Sequence, residues 1–119
     1  MAKNPQHHKI NYIEFTTPNI EGVKTFYTTV FGWSFKDWGP DYIDSSVESA
    51  GLALGFARDE APNPKSAPVA VLYSADLKAT EAAIVAAGGT ITVPTFEFPG
   101  GRRFHFNDGL GNVLAVWGE

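Results

Sequence analysis

TFEFPGGRRFHFNDGLGNVLAVWGE, residues 95–119, is the stretch whose reading decides the fold. It divides into three short strands at two turns. Pro99-Gly100-Gly101 makes the first break, because proline fixes φ and glycine accepts positive φ. Asp108-Gly109-Leu110-Gly111-Asn112 makes the second. Between the breaks, residues 102–107 alternate strictly, so Phe104 and Phe106 share one face while Arg103, His105 and Asn107 share the other. One face is suited to a core and the other to a site.

Reading outward, the same pattern of elements occurs twice. Upstream of the closing stretch, VAVLYSA from Val69 is a strand, Asp76 is a helix N-cap, and Leu77 to Ala87 is an alanine-rich helix stopped by Gly88-Gly89. Ile91 to Phe98 is a strand interrupted by Pro94. Residues 58–68, RDEAPNPKSAP, hold three prolines and four charges with no apolar period and read as an exposed connector. Before them, INYIEFTT (10–17) alternates as a strand with Tyr12, Glu14 and Thr16 on one side and Ile13 and Phe15 on the other. Asn19 caps a helix whose apolar residues Ile20, Val23, Phe26, Tyr27, Val30 and Phe31 recur at helical spacing up to Gly32. WSFKDW, YIDSSV and LALGF follow as strands, with Gly39-Pro40-Asp41 as a turn.

The two halves share a fixed offset. Val69 lies 57 positions after Tyr12, and the same shift sets Leu72 on Phe15, Asp76 on Asn19, Leu77 on Ile20 and Gly89 on Gly32. Agreement of a cap with a cap and a stop with a stop points to duplication of one β-α-β-β-β unit. The expected class is α+β, with module one at about 10–57, the connector at 58–68 and module two at about 69–117.

The composition narrows the function. At 119 residues the chain has the size of one domain. Nine Lys and Arg against thirteen Asp and Glu give a net charge of −4, and the scattered basic residues argue against a nucleic-acid surface. There is no cysteine, which removes disulfides, thiolate ligands and cysteine nucleophiles. MAKNPQHHK lacks the apolar stretch of a signal peptide and no run is long enough for a membrane helix, so a cytoplasmic protein without a membrane partner is expected. His7 and His8 read as part of a solvated arm.

Thr17-Pro18-Asn19-Ile20, Phe26-Tyr27, Phe31-Gly32-Trp33, Asp76-Leu77, Ala87-Gly88-Gly89, the FPGGRRFHF run and the Asp108-to-Asn112 turn together resemble the vicinal oxygen chelate superfamily. That superfamily includes glyoxalase I, bleomycin-resistance proteins and extradiol dioxygenases. The resemblance extends from about Ile10 to Trp117. It implies two tandem βαβββ modules forming a curled mixed sheet around a concave cleft, helices outside, and a homodimer. Many members hold a divalent metal through the first and last strands of each module. Here those positions match Tyr12, Val69, Ala115 and, less closely, Gly55. Only the Tyr12 phenol offers a donor, an uncommon ligand, so a protein without the metal site is expected.

The cleft side implied by this fold takes Tyr12, Glu14 and Thr16, then Val69, Val71 and Tyr73, then Arg103, His105 and Asn107, and finally Val113, Ala115 and Trp117. Such a mixed wall suits a small organic ligand of carbonyl or aromatic character. Tyr12, Tyr73, Arg103 and Trp117 are the candidate ligand contacts, Arg103 as a fork for a carboxylate or phosphate. Glu14 with His105 reads either as a structural pair or as an acid/base pair acting on a carbonyl compound. Trp33, Phe35, Trp38 and Tyr42 read as core or subunit interface. Gly100-Gly101 precedes a strand, so it is not a dinucleotide loop. Two rival readings stand beside the metal-free binder: a divalent-metal lyase, isomerase or dioxygenase using Glu14 and His105 as ligands, and a non-catalytic interaction module.

Overall fold

A computed structural model describes residues 5–60, 68–110 and 112–119. The fold is α+β, with three helices and eight strands among the described residues. The chain divides into two compact units, one of residues 12–69 and one of residues 70–119 together with the arm before Tyr12.

In the first unit the elements are β1 (Ile10–Thr17), α1 (Ile20–Phe31), β2 (Lys36–Asp37), β3 (Tyr42–Ser45), α2 (Val47–Ala50) and β4 (Leu54–Arg58). β4 returns parallel to β1, and β3 and β2 continue antiparallel beyond it. Ile13 and Phe15 of β1 pack under α1, as the alternation requires, against the buried Ile20, Ile43, Leu54 and Phe56. Tyr27 joins helix to core through rings 5.0 Å from Trp33 and 5.4 Å from Phe56. Trp33 and Phe35 therefore are core, but Trp38 is exposed and stacks under the Lys36 ammonium.

The second unit repeats the plan with β5 (Val69–Tyr73), α3 (Leu77–Ala86), β6 (Thr90–Phe98), β7 (Gly101–Asn107) and β8 (Val113–Gly118). β8 is parallel to β5, then β7 and β6 follow antiparallel. Leu77, Phe104 and Val116 form its core, joined by Ile84, Ile91 and Phe106. The duplication is visible atom by atom at the helix starts. Asn19 accepts from Gly22 N–H at 2.8 Å and Asp76 accepts from Ala79 N–H at 3.1 Å, residues again 57 apart. The cap backbones themselves donate to Thr17 Oγ1 and Ser74 Oγ, each at 3.0 Å. Each cap is worth about 1 kcal/mol to its helix.

Several expectations need correction. The strand expected over residues 33–38 is only Lys36–Asp37. The strand expected through Val47 ends at Ser45, because Ser46 caps α2 by accepting from Ser49 N–H. The connector begins later than residue 58, since Arg58 still belongs to β4; residues 61–67 lie outside the described residues. At the end of α3 the left-handed residue is Gly88 at φ 100°, whereas in α1 it is Gly32 at φ 74°, so the helix stops differ by one position from the simple offset. Pro94 falls where the β6–β7 register shifts, between Val93 and Phe96, which is how an edge strand tolerates it.

The arm is not simply solvated. His7 bridges Tyr73 in parallel, its Nδ1 accepts from Ala75 N–H at 2.9 Å, and His8 N–H donates to Tyr73 O at 2.7 Å. His8 Nε2 meets Thr80 Oγ1 at 3.0 Å. Backbone bonds in both directions, His8 N–H to Tyr73 O and Tyr73 N–H to Lys9 O, account for the docking.

The Asp108-to-Asn112 turn is closed by one carboxylate. Asp108 Oδ1 accepts from Leu110 N–H at 2.6 Å and Asn112 N–H at 3.2 Å, and Oδ2 accepts from the Asn112 side chain at 2.8 Å. These bonds, that from Asn112 first, hold the Asp108 carboxyl below its ordinary range. The sign follows from linkage: a depressed folded value gives stability that is present above the unfolded aspartate value, about 3.9, and is lost as pH falls through the folded one. Urea midpoints should therefore separate wild type from Asp108→Ala at pH 7 and converge in acid as the pH falls through the folded value. Equal midpoints at pH 7 would refute the role.

Candidate functional site

On the second unit, strand register fixes which side chains share the face away from α3. One row crosses the sheet as Tyr73, Trp117, Arg103 and Phe96, and the next as Val71, Ala115, His105 and Val93. Phe104, Phe106 and Val116 alternate with them on the helix side. The face therefore holds Tyr73, Arg103, His105 and Trp117, the residues read from alternation. It adds Phe96, which sequence parity alone left undecided because of the break at Pro94.

The row is a connected aromatic and cationic surface. Tyr73 meets Trp117 edge to face at 5.0 Å between ring centroids, and Phe98 approaches Trp117 at 6.5 Å. The indole N–H donates to Asn11 Oδ1 at 3.2 Å. Arg103 lies 5.8 Å over the Phe96 ring, and His105 stacks on the same ring at 6.0 Å. Arginine has only donors, so His105 Nε2, 3.2 Å from Arg103 Nε and 3.1 Å from Nη2, is the acceptor. In this arrangement the neutral imidazole carries its proton on Nδ1. Arg103 and Trp117, 7% and 6% exposed, are floor, whereas Phe96 at 40% is reachable.

Tyr73 is also tied to the chain end. Its hydroxyl donates to Glu119 Oε1 at 2.7 Å, and that bond holds the phenol proton above its ordinary value. Asn107, expected on the site face, spends its amide oxygen on Gly109 N–H at 2.8 Å and belongs to the turn. Val113 is exposed and Val71 and Ala115 are fully buried, so their contribution is shape.

On the first unit the face away from α1 carries Tyr12, Glu14 and Thr16, and register adds Gly55, Asp44 and Lys36 in the row of Glu14. Tyr12 is buried and its hydroxyl donates to Glu14 Oε1 at 3.3 Å. The same hydroxyl is hydrogen-bonded to Tyr42 Oη. Tyr42, expected in the core or at an interface, is thus a member of this polar cluster and not of the apolar core. A clue was present in the sequence: in YID, Ile43 is the core position, so Tyr42 takes the opposite face. Thr16 Oγ1 is buried with no hydrogen-bond partner among the described residues.

Gly55 explains how two phenols fit over β4. A Cβ there would collide with both Tyr12 Oη and Tyr42 Oη. This bears on the divalent metal implied by the resemblance. Gly55 has no side chain, Val69 and Ala115 are apolar, and the Tyr12 oxygen is already hydrogen-bonded to a carboxylate and a phenol. No group of three His, Asp or Glu side chains suited to a metal occurs among the described residues. This donor set does not fit a divalent ion of the usual family kind. Glu14 belongs to the first unit and His105 to the second, each with the neighbours given above.

With this geometry in view, the family can be stated. The family model described as Glyoxalase/Bleomycin resistance protein/Dioxygenase superfamily matches residues 9–116, and the chain belongs to that superfamily. It is 29% identical over 116 residues to the protein named "Putative glyoxylase CFP32" in Mycobacterium bovis and Mycobacterium tuberculosis. The match covers 90% of this chain and 44% of theirs, so the chain spans less than half the length of these curated relatives. Among solved structures it is similar to an NAD-dependent benzaldehyde dehydrogenase from Legionella pneumophila, with TM-score 0.71 at 17% identity over 91% of this chain and 97% of that one. Methylmalonyl-CoA epimerase from Mycobacterium tuberculosis gives TM-score 0.70 at 11% identity, covering 99% of this chain and 92% of that one. Likeness at such identities speaks for the fold alone. No described helix is long and apolar enough to cross a membrane.

Proposed function

We propose that this glyoxalase-like protein binds a small organic ligand with carbonyl or aromatic character, without the superfamily's divalent metal. The observation that carries this reading is the row Tyr73, Trp117, Arg103 and Phe96. Flat apolar surface there surrounds one arginine, the combination that gives affinity through the rings and orientation through a charged fork. His105 is bonded to that arginine and presents a further polar group beside it. Similarity to a protein named as a glyoxylase supports the carbonyl part of the reading. Glu14, held by Tyr12, and His105 are the groups assigned to acid/base or hydrogen-bonding work, and the ligand is met by a homodimer in the cytoplasm.

A thermal-shift panel of small aromatic and carbonyl compounds that includes phenylpyruvate tests it. A ligand at a hundredfold excess over its Kd stabilises by about 2.7 kcal/mol. Arg103→Met keeps the length of the side chain but removes the charge-assisted bonds, and should weaken such a hit about tenfold or more. A folded Arg103→Met protein with unchanged affinity would sink the site. A panel without any hit would turn the reading to the interaction module. Stoichiometric, tightly held metal that is lost in Glu14→Ala would turn it to the metal enzyme.

A further inference from the structure

The two helices are equivalent by the 57-residue offset, yet their outer faces differ in chemistry. Thr25, Thr28 and Thr29 of α1 are exposed, as an outer helix face should be. The corresponding residues of α3 are Ala82, Val85 and Ala86, also exposed, with Val85 at 55%. Although α1 also exposes Phe26, Val30 and Phe31 elsewhere on its surface, at these three offset positions threonines in one unit stand against two alanines and a valine in the other. Small side chains there leave space beside the edge strand β6, whose pairing with β7 is irregular around Pro94. The result is a groove of about 560 Å³ floored by Leu77, Ala82, Val85 and Ala86, within the range of small-molecule sites.

Charge decides what such a groove would take. Lys78 and Arg102 stand on its rim. The one carboxylate on the rim, Glu81, is turned toward the Thr95 hydroxyl at 3.5 Å. Arg102 is placed on the helix side of β7 by the same alternation that puts Arg103 on the other face, and it donates from Nη2 to the Glu119 carbonyl oxygen at 3.2 Å, leaving further guanidinium donors. We propose that this groove is a second ligand site, separate from the Tyr73–Trp117 face, for a small amphipathic carboxylate: an aliphatic or aryl tail on the alanine and valine floor, its carboxylate between Lys78 and Arg102. Among the lining residues two cations stand against one carboxylate, and Glu97, the cross-strand neighbour of Arg102, is outside that lining, which favours an anionic head; the groove's size favours a small molecule over a protein segment.

Octanoate is the probe, followed through backbone amide NMR shifts of the whole chain, with octylammonium as the opposite charge on the same tail. Saturable shifts should centre on residues 77–86, Thr95 and Arg102 at millimolar octanoate. Octylammonium should give no saturable shift there. Ala86→Phe fills the groove from an exposed position and should weaken octanoate at least tenfold. Arg102→Glu should weaken it about tenfold. The site is refuted by absence of a saturable shift, by shifts centred on Tyr73, His105 and Trp117 instead, by equal binding of octylammonium, or by undiminished binding to a folded Ala86→Phe protein. Because Ala86→Phe leaves the opposite face untouched, its outcome is independent of the Arg103→Met result.

Discussion

Phe104→Ala should cost about 3–5 kcal/mol of unfolding free energy, the loss expected when a fully enclosed phenylalanine is removed and the cavity only partly closes. Phe104 is fully buried and meets Leu77 of α3 and Val116 of β8, so it joins helix to sheet in the second unit. Its partner across the strands is Val116, and Phe106 lies 6.4 Å away on the same face. For a domain of this size such a loss lowers Tm by more than about 10 °C. Phe96→Ala is the internal comparison, because that ring is on the strand paired to β7 but 40% exposed. It should cost far less. A urea titration reading under about 1.5 kcal/mol for Phe104→Ala would mean that α3 does not rest on this face of β7.

That comparison also shows what the sequence could and could not reveal. The alternation RRFHFN separates Phe104 from Arg103 because strand periodicity is a local property, so the core face and the face opposite it were legible from six residues. The caps at Asn19 and Asp76 were legible for the same reason, each being fixed by a bond to an N–H three residues on. The repeat carried the rest of the fold, since an offset needs no knowledge of contacts. What escaped depends on pairing between distant strands. Tyr42 joins Tyr12 because β3 is laid beside β4 and β4 beside β1, a register no local pattern states. Phe96 reaches Arg103 only through the irregular register around Pro94. The docking of His7 and His8 depends on backbone pairing with the distant Tyr73, and α2 on a single serine cap within a run that otherwise reads as strand.

Gly55→Ala is expected to destabilise by about 1–3 kcal/mol, a large effect for one methyl group, because the added carbon would collide with the oxygens of two tyrosines at once. The ordinary expectation for this change in a strand is the reverse, since glycine there loses more chain entropy than alanine. The backbone conformation is not the obstacle, for Gly55 is absent from the positive-φ positions. The two closest collisions are with hydroxyl oxygens, with Tyr42 Cε1 next behind them, and this supplies a control. Tyr12→Phe and Tyr42→Phe together remove both oxygens, so Gly55→Ala should cost much less in that background than in wild type. The coupling, read from urea midpoints of the cycle, should be at least about 1 kcal/mol. Additive effects would show that the phenols do not sit over Gly55. Non-additive ones would establish that this chain has a glycine and a phenol packed together at the two first-unit positions that the resemblance, less closely for Gly55, sets against metal ligands, with Glu14 bonded to that phenol. A carboxylate placed at position 55 would then find its space already taken by tyrosine hydroxyls, so building a metal site there would require changing the tyrosines as well.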